Sequence, residues 1–436
     1  MQTHPGSRGT HIRWIVCGLL FFATTINYVD RQVISILKQS VILTWPGWSE
    51  LQYGRVVGYF QLAYALTMVF AGMLIDRIGI RKGFAIAIVW WSMAAMGHAL
   101  SGSVLAFGFS RVLLGIGEAA NFPASIKAVA EWFPKKERAL ATSIFNSGTN
   151  IGAVITPIAV AWILETLGHW QWVFILTGSL GFLWLVFWLL NYRSPEEHPR
   201  VSKEELAIIH GGSFEKSEKI PLSDMFRSWL DLLRYRQTWA FALGKGMTDP
   251  IWWVWLFWIP GFLYKKFGVN IKDMWGPILV IYTMASVGSV VAGWLPSFLM
   301  KSGWSANAAR KTAMLICAVC AVPVIFAGLT NHIWTAVLLI GLACGAHQGW
   351  SANIFTLSSD MFPKRVVGSV VGIGGCAGGL GGYFIANIVG WILNRNANNY
   401  LPIFLAAGSI YLVALLIVHL LAPRLEPVNL GDSEGN

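Results

Sequence analysis

Charged residues are scarce in this sequence. Asp, Glu, Lys and Arg make up 12% of its 436 residues, about half the share that is typical of a soluble domain. Apolar residues make up 55%, and the mean hydropathy is +0.57. This composition excludes an ordinary soluble globular protein and predicts a protein that is embedded in lipid.

The sequence also lacks the motifs of several function classes. The glycine-rich run at 372–382 is not a phosphate-binding loop, because no Lys-Ser/Thr follows it and it lies inside an apolar segment. His347 has no second His or carboxylate at ligand spacing, so we predict no metal, no cofactor and no enzyme activity. All five cysteines fall in apolar segments, which predicts packing residues rather than a redox pair. They are Cys17, Cys317, Cys320, Cys344 and Cys376.

What the sequence does contain is a series of apolar segments, each about long enough to cross ~30 Å of hydrocarbon as a helix. We count twelve, at 12–37, 51–75, 84–101, 103–130, 139–165, 168–191, 236–264, 274–300, 311–329, 332–360, 367–393 and 399–422. The sequence therefore predicts an all-α polytopic membrane protein with twelve transmembrane helices.

The net charge of +11 comes from basic residues that are distributed unequally over the predicted loops. One side of the predicted topology carries 22 Lys and Arg and the other side carries six. By the positive-inside rule, the richer side and both termini are cytoplasmic. Because the basic residues are spread over six loops, they form no continuous patch, and we predict no nucleic-acid binding.

A hydrophilic stretch divides the chain into two sets of six predicted helices. We assign an N-terminal bundle to 1–191, a cytoplasmic linker to 192–235, a C-terminal bundle to 236–422 and a cytoplasmic tail to 423–436. EWFPKKERA at 131–139 aligns with DMFPKRVVG at 360–368, which predicts a repeat and two pseudo-symmetric bundles. The same offset places Glu118 opposite His347 as a pair that could handle protons, unless His347 only hydrogen-bonds a neighbouring helix.

The loop between the second and third predicted helices carries a recognisable motif. It reads Gly72-Met-Leu-Ile-Asp76-Arg77-Ile-Gly79-Ile-Arg81-Lys82. It matches G-x-x-x-D-R-x-G-x-R-K, and through it the chain resembles the major facilitator superfamily. The resemblance implies the major facilitator fold, with these six numbered residues as a gate. Gly72 would allow a close helix approach and Asp76 would cap a neighbouring helix N-terminus.

Further motifs are similar to the anion:cation symporter family. They are Asn27-Tyr28-Val-Asp30-Arg31, the segment from Arg111 through Glu118 to Pro123, Glu131-Trp-Phe-Pro134, Trp258-Ile-Pro260, Ala346-His347-Gln348 and Leu357-Ser-Ser-Asp360. Several resemble bacterial hexuronate transporters most. Those lack an acid at Asp30, however, whereas galactonate transporters have the Asp-Arg pair. The resemblance implies a proton-coupled symporter of the bacterial inner membrane that imports a hexuronate by alternating access. A proton-coupled aldonate or aldarate transporter is the alternative.

Four charged residues inside predicted helices are the main candidates for the site: Asp30, Arg31, Arg111 and Glu118. An ionisable group at bilayer depth is costly unless it is paired or lines a wet cavity. Arg111 and Glu118 lie two turns apart on one helix face, so each can meet the first helix. Asp30 and Arg31 point about 100° apart, so one can line the cavity while the other contacts the fourth helix.

The resemblance assigns roles to these four residues. Arginine can hold a carboxylate through two parallel bonds, and the resemblance makes Arg31 the ligand of the substrate carboxylate. Asp30 and Glu118 would be the proton-coupling acids. A purely structural salt-bridge network is the alternative.

Other polar side chains are candidates for binding the rest of a sugar acid: Tyr64, Arg111, Asn121, Lys245, His347, Gln348, Ser351 and Asn387. Lys245 and Asp249 are four residues apart and can equally form a self-contained ion pair. Trp252, Trp253, Trp255 and Trp258 could stack on a sugar face or only pack. We expect a monomer in the lipid bilayer whose partners are a sugar-acid anion and protons.

Overall fold

The computed structural model describes residues 11–39, 41–134, 137–210, 230–362, 364–396 and 399–428. For Asp76 and Arg138 it describes only the backbone. Part of the predicted linker and part of the predicted tail lie outside these ranges.

The described residues are almost entirely helical and contain no strand. Their α-helices are α1 Ile12–Leu37, α2 Glu50–Ile78, α3 Ile80–Gly97, α4 Val104–Glu118, α5 Asn121–Trp132, α6 Arg138–Leu167, α7 Gln171–Asn191, α8 Lys203–His210, α9 Arg236–Phe267, α10 Trp275–Lys301, α11 Ala306–Ala321, α12 Ile333–Met361, α13 Lys364–Arg395 and α14 Leu401–Leu421. Short 3-10 turns join several of them, and the all-α prediction is confirmed.

Ten helical segments within the described ranges are long and apolar enough to cross a membrane. The predicted spans at 51–75 and 236–264 form the continuous helices α2 and α9, but these two are not among the ten. Polar and charged side chains interrupt their apolar character, for example Lys245 and Asp249 in α9. The chain is therefore a multi-pass membrane protein, and the number twelve stays a prediction.

The predicted span at 103–130 corresponds to one candidate membrane-spanning segment, Val104–Trp132, but that segment is not one continuous helix. The helix α4 ends at Glu118, and α5 begins at Asn121 after a turn at Ala119 and Ala120. Pro123 explains the break, because it has no N–H to donate to the carbonyl of Ala119. The break lies directly beside Glu118, one of the candidate site residues.

The N-terminal helices α1–α7 and the C-terminal helices α9–α14 pack mainly among themselves. In the first set α1 packs on α6, α3 on α7 and α2 on α4, and in the second α10 packs on α12 and α9 on α14. One buried apolar cluster is drawn only from residues between Ile12 and Ile209. A second cluster runs from Tyr28 to Val428 and so joins both sets. The bundle boundaries predicted from the sequence stay a prediction.

The main contact between the two sets is made by α2 and α13. A stripe of α2 residues at helical spacing faces α13: Gly54, Gly58, Gln61, Ala65 and Met68. A methyl group on Gly54 would lie 2.5 Å from the Ala386 carbonyl oxygen and 2.9 Å from the Gly390 Cα. Such small residues let two helix backbones approach closely. We call this contact the α2–α13 seam. The glycine-rich run at 372–382 is helical; one face of it lies in this seam and the other packs on α9.

The two sets of helices are also joined at the end of the molecule that carries the α1–α2 connection, which we call the α1–α2 end. There Glu50 forms an ion pair with Lys38 at 2.8 Å and accepts from Lys265 at 2.6 Å. Tyr53 donates to the carbonyl of Phe257 at 2.9 Å. The contacts of Lys265 and Phe257 link α9 to the N-terminal helices, so this end is closed. The contact between Glu50 and Lys38 lies within the N-terminal set.

The opposite end, which carries the α2–α3 connection, is packed more loosely at Gly72 of α2 and Gly293 of α10. A methyl group on Gly72 would meet only Pro123, at 3.9 Å, and one on Gly293 would meet nothing within 4 Å. Gly72 therefore allows no especially close helix approach in this conformation, in contrast to the prediction.

The start of the predicted linker packs on that same end. Glu205 of α8 accepts from the backbone N–H groups of Ile12 and Arg13, each at 3.1 Å, and from Arg13 Nη1 at 3.2 Å. Arg13 Nε also donates to Glu137 at 3.1 Å. We call these contacts the Glu205 clasp. Near it, burial lowers the pKa of His198, which favours a neutral ring.

Candidate functional site

An ion pair between α1 and α4 lies at the centre of the candidate site. Arg31 and Glu118 are both fully buried, and Arg31 Nε donates to Glu118 Oε2 at 2.5 Å. Arg111 Nη1 donates to the carbonyl of Arg31 at 3.4 Å. The prediction that Arg111 and Glu118 each meet the first helix is confirmed.

Aromatic rings surround the Arg31 guanidinium. Its Cζ lies 4.9 Å from the ring centre of Tyr28, 5.2 Å from Phe60, 4.5 Å from Tyr64 and 5.4 Å from Trp253. Trp253 belongs to α9, so residues from both sets of helices contact Arg31. Cation–π contacts of this kind stabilise a desolvated cation. We call these four side chains the aromatic cage.

The guanidinium has unused donors. Arg31 Nη1 and Nη2 are buried and have no hydrogen-bond partner among the described residues. In that part of the chain Arg111 Nε and Nη2 and Glu118 Oε1 also lack partners. A buried polar group without a partner costs about 1–3 kcal/mol, and more when it is charged. The cluster therefore has spare capacity to bind a polar, charged ligand.

Asp30 does not take part in the ion pair. Its side chain is buried beside Thr177 of α7, but the Thr177 hydroxyl donates to the Val173 carbonyl at 2.9 Å. Neither Asp30 carboxylate oxygen has a partner within the described ranges. Among the described residues, Arg31 bonds to α4 through Glu118, whereas the Asp30 carboxylate forms no hydrogen bond to α4. The cluster holds two acids and two arginines, so its formal charges balance.

Asn121 and Tyr64 also lie at this cluster. Asn121 begins α5 and donates from Nδ2 to Thr24 of α1 at 3.4 Å. Tyr64 belongs to the aromatic cage. Two of the predicted ligands of the N-terminal helices are thus placed around α1, next to the charged residues.

His347 does not pair with Glu118 in this conformation. Its Nδ1 lies 2.8 Å from the Tyr411 hydroxyl of α14, and its ring stacks on Trp252 at 5.3 Å between centres. The alternative prediction, a hydrogen bond to a neighbouring helix, is what the structure shows.

Lys245 and Asp249 form the predicted ion pair within α9. Lys245 Nζ lies 2.7 Å from Asp249 Oδ2 and 4.0 Å from the ring centre of Phe355. A methyl group on Gly378 would come within 2.5 Å of Asp249 Oδ2. The pair is therefore packed against the glycine-rich face of α13, and its role in binding stays a prediction.

The remaining predicted ligands belong to α12 and α13. Gln348 and Ser351 are half-buried. Asn387 donates to the Tyr383 carbonyl at 2.8 Å and faces Gly58 in the α2–α13 seam. Asn387 therefore contacts the N-terminal helices, and this contact lies in the α2–α13 seam.

The predicted gate motif forms a tight turn. Gly79, at φ +84°, separates α2 from α3, a backbone conformation that glycine adopts without strain. Arg81 Nη2 donates to the Leu189 carbonyl of α7 at 2.5 Å, while Arg77 and Lys82 are exposed. The capping role of Asp76 lies outside what the structure describes.

Sequence reasoning missed Phe60 and Gln61, which lie beside Tyr64 on α2. Gln61 is fully buried in the seam. A glutamine within a stripe of small residues is the signal that could have identified it.

Comparison with known proteins decides the family. The family model described as Major Facilitator Superfamily matches residues 20–386. The chain belongs to the major facilitator superfamily. Within this superfamily the chain is 30% identical to the hexuronate transporter of Escherichia coli strain K12 over 412 residues, which cover 93% of each chain. It is 29% identical to a D-galactonate transporter of Escherichia coli O6:H1 over 421 residues, or 94% of this chain and 95% of the relative.

A solved structure supports the same fold. The chain aligns with a bacterial homologue of the human lysosomal transporter Spinster in an inward-facing and occupied conformation, with a TM-score of 0.68 and 20% identity over 96% of each chain. This major facilitator protein is therefore a multi-pass membrane transporter and not an enzyme. Its named relatives are sugar-acid transporters.

Proposed function

We propose that this protein is a proton-coupled symporter that imports a hexuronate, such as galacturonate or glucuronate, by alternating access. The observation that carries the proposal is the buried Arg31, whose two Nη atoms have no partner among the described residues. A planar guanidinium with two free donors suits a carboxylate, which accepts both bonds in parallel. The relative named hexuronate transporter supports this choice of acid.

Glu118 supplies the coupling in this scheme. While it is ionised, it neutralises Arg31 at 2.5 Å and competes with any anionic substrate. When Glu118 takes up a proton, the guanidinium loses its counter-charge and can bind the substrate carboxylate. Asp30, buried beside the same cluster, is the second proposed protonation site. Arginine stays protonated throughout and so cannot carry the proton.

The predicted topology gives the proposal a direction. If both termini are cytoplasmic, the closed α1–α2 end faces the periplasm of a bacterium and the looser end faces the cytoplasm. The conformation would then be one that releases substrate inward. The predicted monomer contains both sets of helices that the site needs.

Uptake into proteoliposomes tests the proposal. Purified protein is reconstituted, an inward proton gradient is imposed, and uptake of labelled galacturonate is measured with unlabelled glucuronate, galactonate or glucarate as competitor. We expect gradient-dependent uptake that the hexuronates compete best. Uptake that persists without a proton gradient would contradict the coupling.

An aldonate is the second candidate, and two observations favour it. The chain is nearly as similar to a D-galactonate transporter, at 29% identity, and the resemblance carried by the Asp30-Arg31 pair points the same way. Competition by galactonate alone would select the aldonate, and competition by glucarate alone would select an aldarate. In both cases the proposed role of Arg31 is unchanged.

A further inference from the structure

Gln61 is a buried amide whose hydrogen-bonding groups are not used. Its side chain is 0% exposed, and neither Oε1 nor Nε2 has a partner among the described residues. An amide has two N–H donors and a carbonyl acceptor, and leaving them unpaired in a buried place is costly. An apolar side chain of similar size would avoid this cost, so packing alone does not explain a glutamine here.

Gln61 differs from the other residues of the α2 stripe because its side chain is polar. The other residues of the stripe are Gly54, Gly58, Ala65 and Met68. None of these four has a polar side chain. A methyl group on Gly382 of α13 would lie 3.3 Å from Gln61 Cδ and Oε1. Gly382 thus leaves just enough room for the amide.

The same point on α13 connects Gln61 to the aromatic cage. A methyl group on Gly382 would also lie 3.0 Å from Cδ1 of Trp253, whose ring is 5.4 Å from Arg31 Cζ. Gln61 is also flanked on α2 by Phe60 and, three residues on, by Tyr64, which both contact Arg31. The amide therefore lies at the edge of the cage, where α2, α9 and α13 meet.

We propose that Gln61 binds a hydroxyl group of the substrate and so helps to select polyhydroxylated acids over simple carboxylates. This inference rests on the proposed function, because it needs the carboxylate on Arg31. An amide can donate to a hydroxyl oxygen and accept from the same hydroxyl, which an arginine cannot do. A substrate that spans Arg31 and Gln61 contacts both sets of helices through α2 and the Gly382 face of α13.

The test is a double-mutant cycle between the protein and its ligand. Binding of D-galacturonate and of its monodeoxy derivatives to the full-length protein in detergent is measured by calorimetry for the wild type and for Gln61→Leu. D-Galactonate and its monodeoxy forms take their place if competition selects galactonate. We expect Gln61→Leu to weaken binding of the full sugar acid about tenfold or more. If Gln61 binds one particular hydroxyl, the Gln61→Leu variant should bind the derivative that lacks this hydroxyl as tightly as it binds the full sugar acid.

Asn353→Leu is the matched control, because Asn353 is a buried amide whose Nδ2 already donates to the carbonyls of Ala292 and Gly349, each at 2.9 Å. We expect each missing hydroxyl to reduce the affinity of Asn353→Leu by the same factor as it reduces the affinity of the wild type. If the losses from Gln61→Leu and from deoxygenation add at every position, the inference is wrong and Gln61 is only structural. If the wild type binds no sugar acid at all, the proposed function itself is wrong.

Discussion

At the scale of single residues, the buried charges around Arg31 are only partly paired. Arg31 contacts Glu118 through Nε alone and leaves its two Nη atoms to the aromatic cage. Glu118 likewise uses one carboxylate oxygen and leaves the other without a partner in the described chain. Each member of the pair is therefore half-satisfied, which is what a site that exchanges partners requires.

Arg31→Lys should weaken sugar-acid binding about 10- to 100-fold, because an ammonium cannot form two parallel bonds to a carboxylate. The measurement is the dissociation constant of the purified protein for galacturonate. Arg424→Lys is the control, since Arg424 forms only an exposed ion pair with Glu426. Unaltered affinity in Arg31→Lys would exclude Arg31 as the carboxylate ligand.

Glu118→Gln should abolish accumulation driven by a proton gradient and preserve exchange of substrate across the membrane. Glutamine resembles the protonated acid in shape and charge, so Arg31 is permanently available but no proton is carried. The two activities are measured in the same proteoliposomes. Glu131→Gln, an acid that accepts from Tyr192 at 2.6 Å, serves as control, and normal accumulation in Glu118→Gln would rule out the coupling role.

At the scale of secondary-structure elements, the short helix α8 fixes the start of α1. Glu205 is fully buried and accepts two backbone N–H groups that a helix start leaves without partners. Since α1 carries Asp30 and Arg31, the Glu205 clasp supports the helix on which the site depends.

Glu205→Ala should lower the free energy of unfolding by about 1–3 kcal/mol, because it leaves buried donors of Ile12 and Arg13 unsatisfied. Thermal unfolding in detergent measures the change. Glu204→Ala, at the exposed neighbouring position, should have a much smaller effect. Equal melting temperatures for wild type and Glu205→Ala would show that the clasp adds no stability.

The elements also show which features a sequence can predict. Apolar segments of spanning length predicted nearly every long helix, because lipid requires a continuous helical backbone. The break between α4 and α5 was not predicted, because Pro123 was counted within a spanning segment although a proline can break a helix. The Glu205 clasp joins residues 193 positions apart, and no local pattern reports such a contact.

The candidate site was predictable to a similar extent. Buried charges at bilayer depth indicated Arg31, Arg111 and Glu118, and the structure places them together. The aromatic cage was harder to predict. In the sequence, Phe60 and Trp253 resemble ordinary packing residues, and only the packing of α2 and α9 around α1 brings them to Arg31.

At the scale of the whole molecule, the closed α1–α2 end contains one carboxylate that two lysines share. Glu50 and Lys38 come from the N-terminal helices, and Lys265 comes from α9. All three are at least largely buried. Any conformation that opens this end must separate Lys265 from Glu50.

Lys265→Met should therefore favour opening of the α1–α2 end by about 1–2 kcal/mol, or roughly tenfold in population, because losing one partner of a buried pair is costly. Spin labels on cysteines introduced at Thr44 and Asn270, with the native cysteines replaced, report the distance across this end. We expect a larger population at long distance.

Lys272→Met provides the comparison for this experiment. Lys272 pairs with Glu165 across the same end at 2.6 Å, but both side chains are exposed, at 71% and 47%, and such pairs contribute about 0–1 kcal/mol. Its distance distribution should match the wild type. If Lys265→Met also matches the wild type, the Glu50 ion pairs do not hold this end closed.

The Glu205 clasp has a consequence for the order in which the protein is made. The residues that start α1 leave the ribosome first, yet the carboxylate that accepts their N–H groups is synthesised 193 residues after Ile12. The contacts that α8 makes with the start of α1 are therefore missing when Asn191 has just been translated, and they can form only after α8 has been synthesised. A separately expressed N-terminal fragment should accordingly extend through His210.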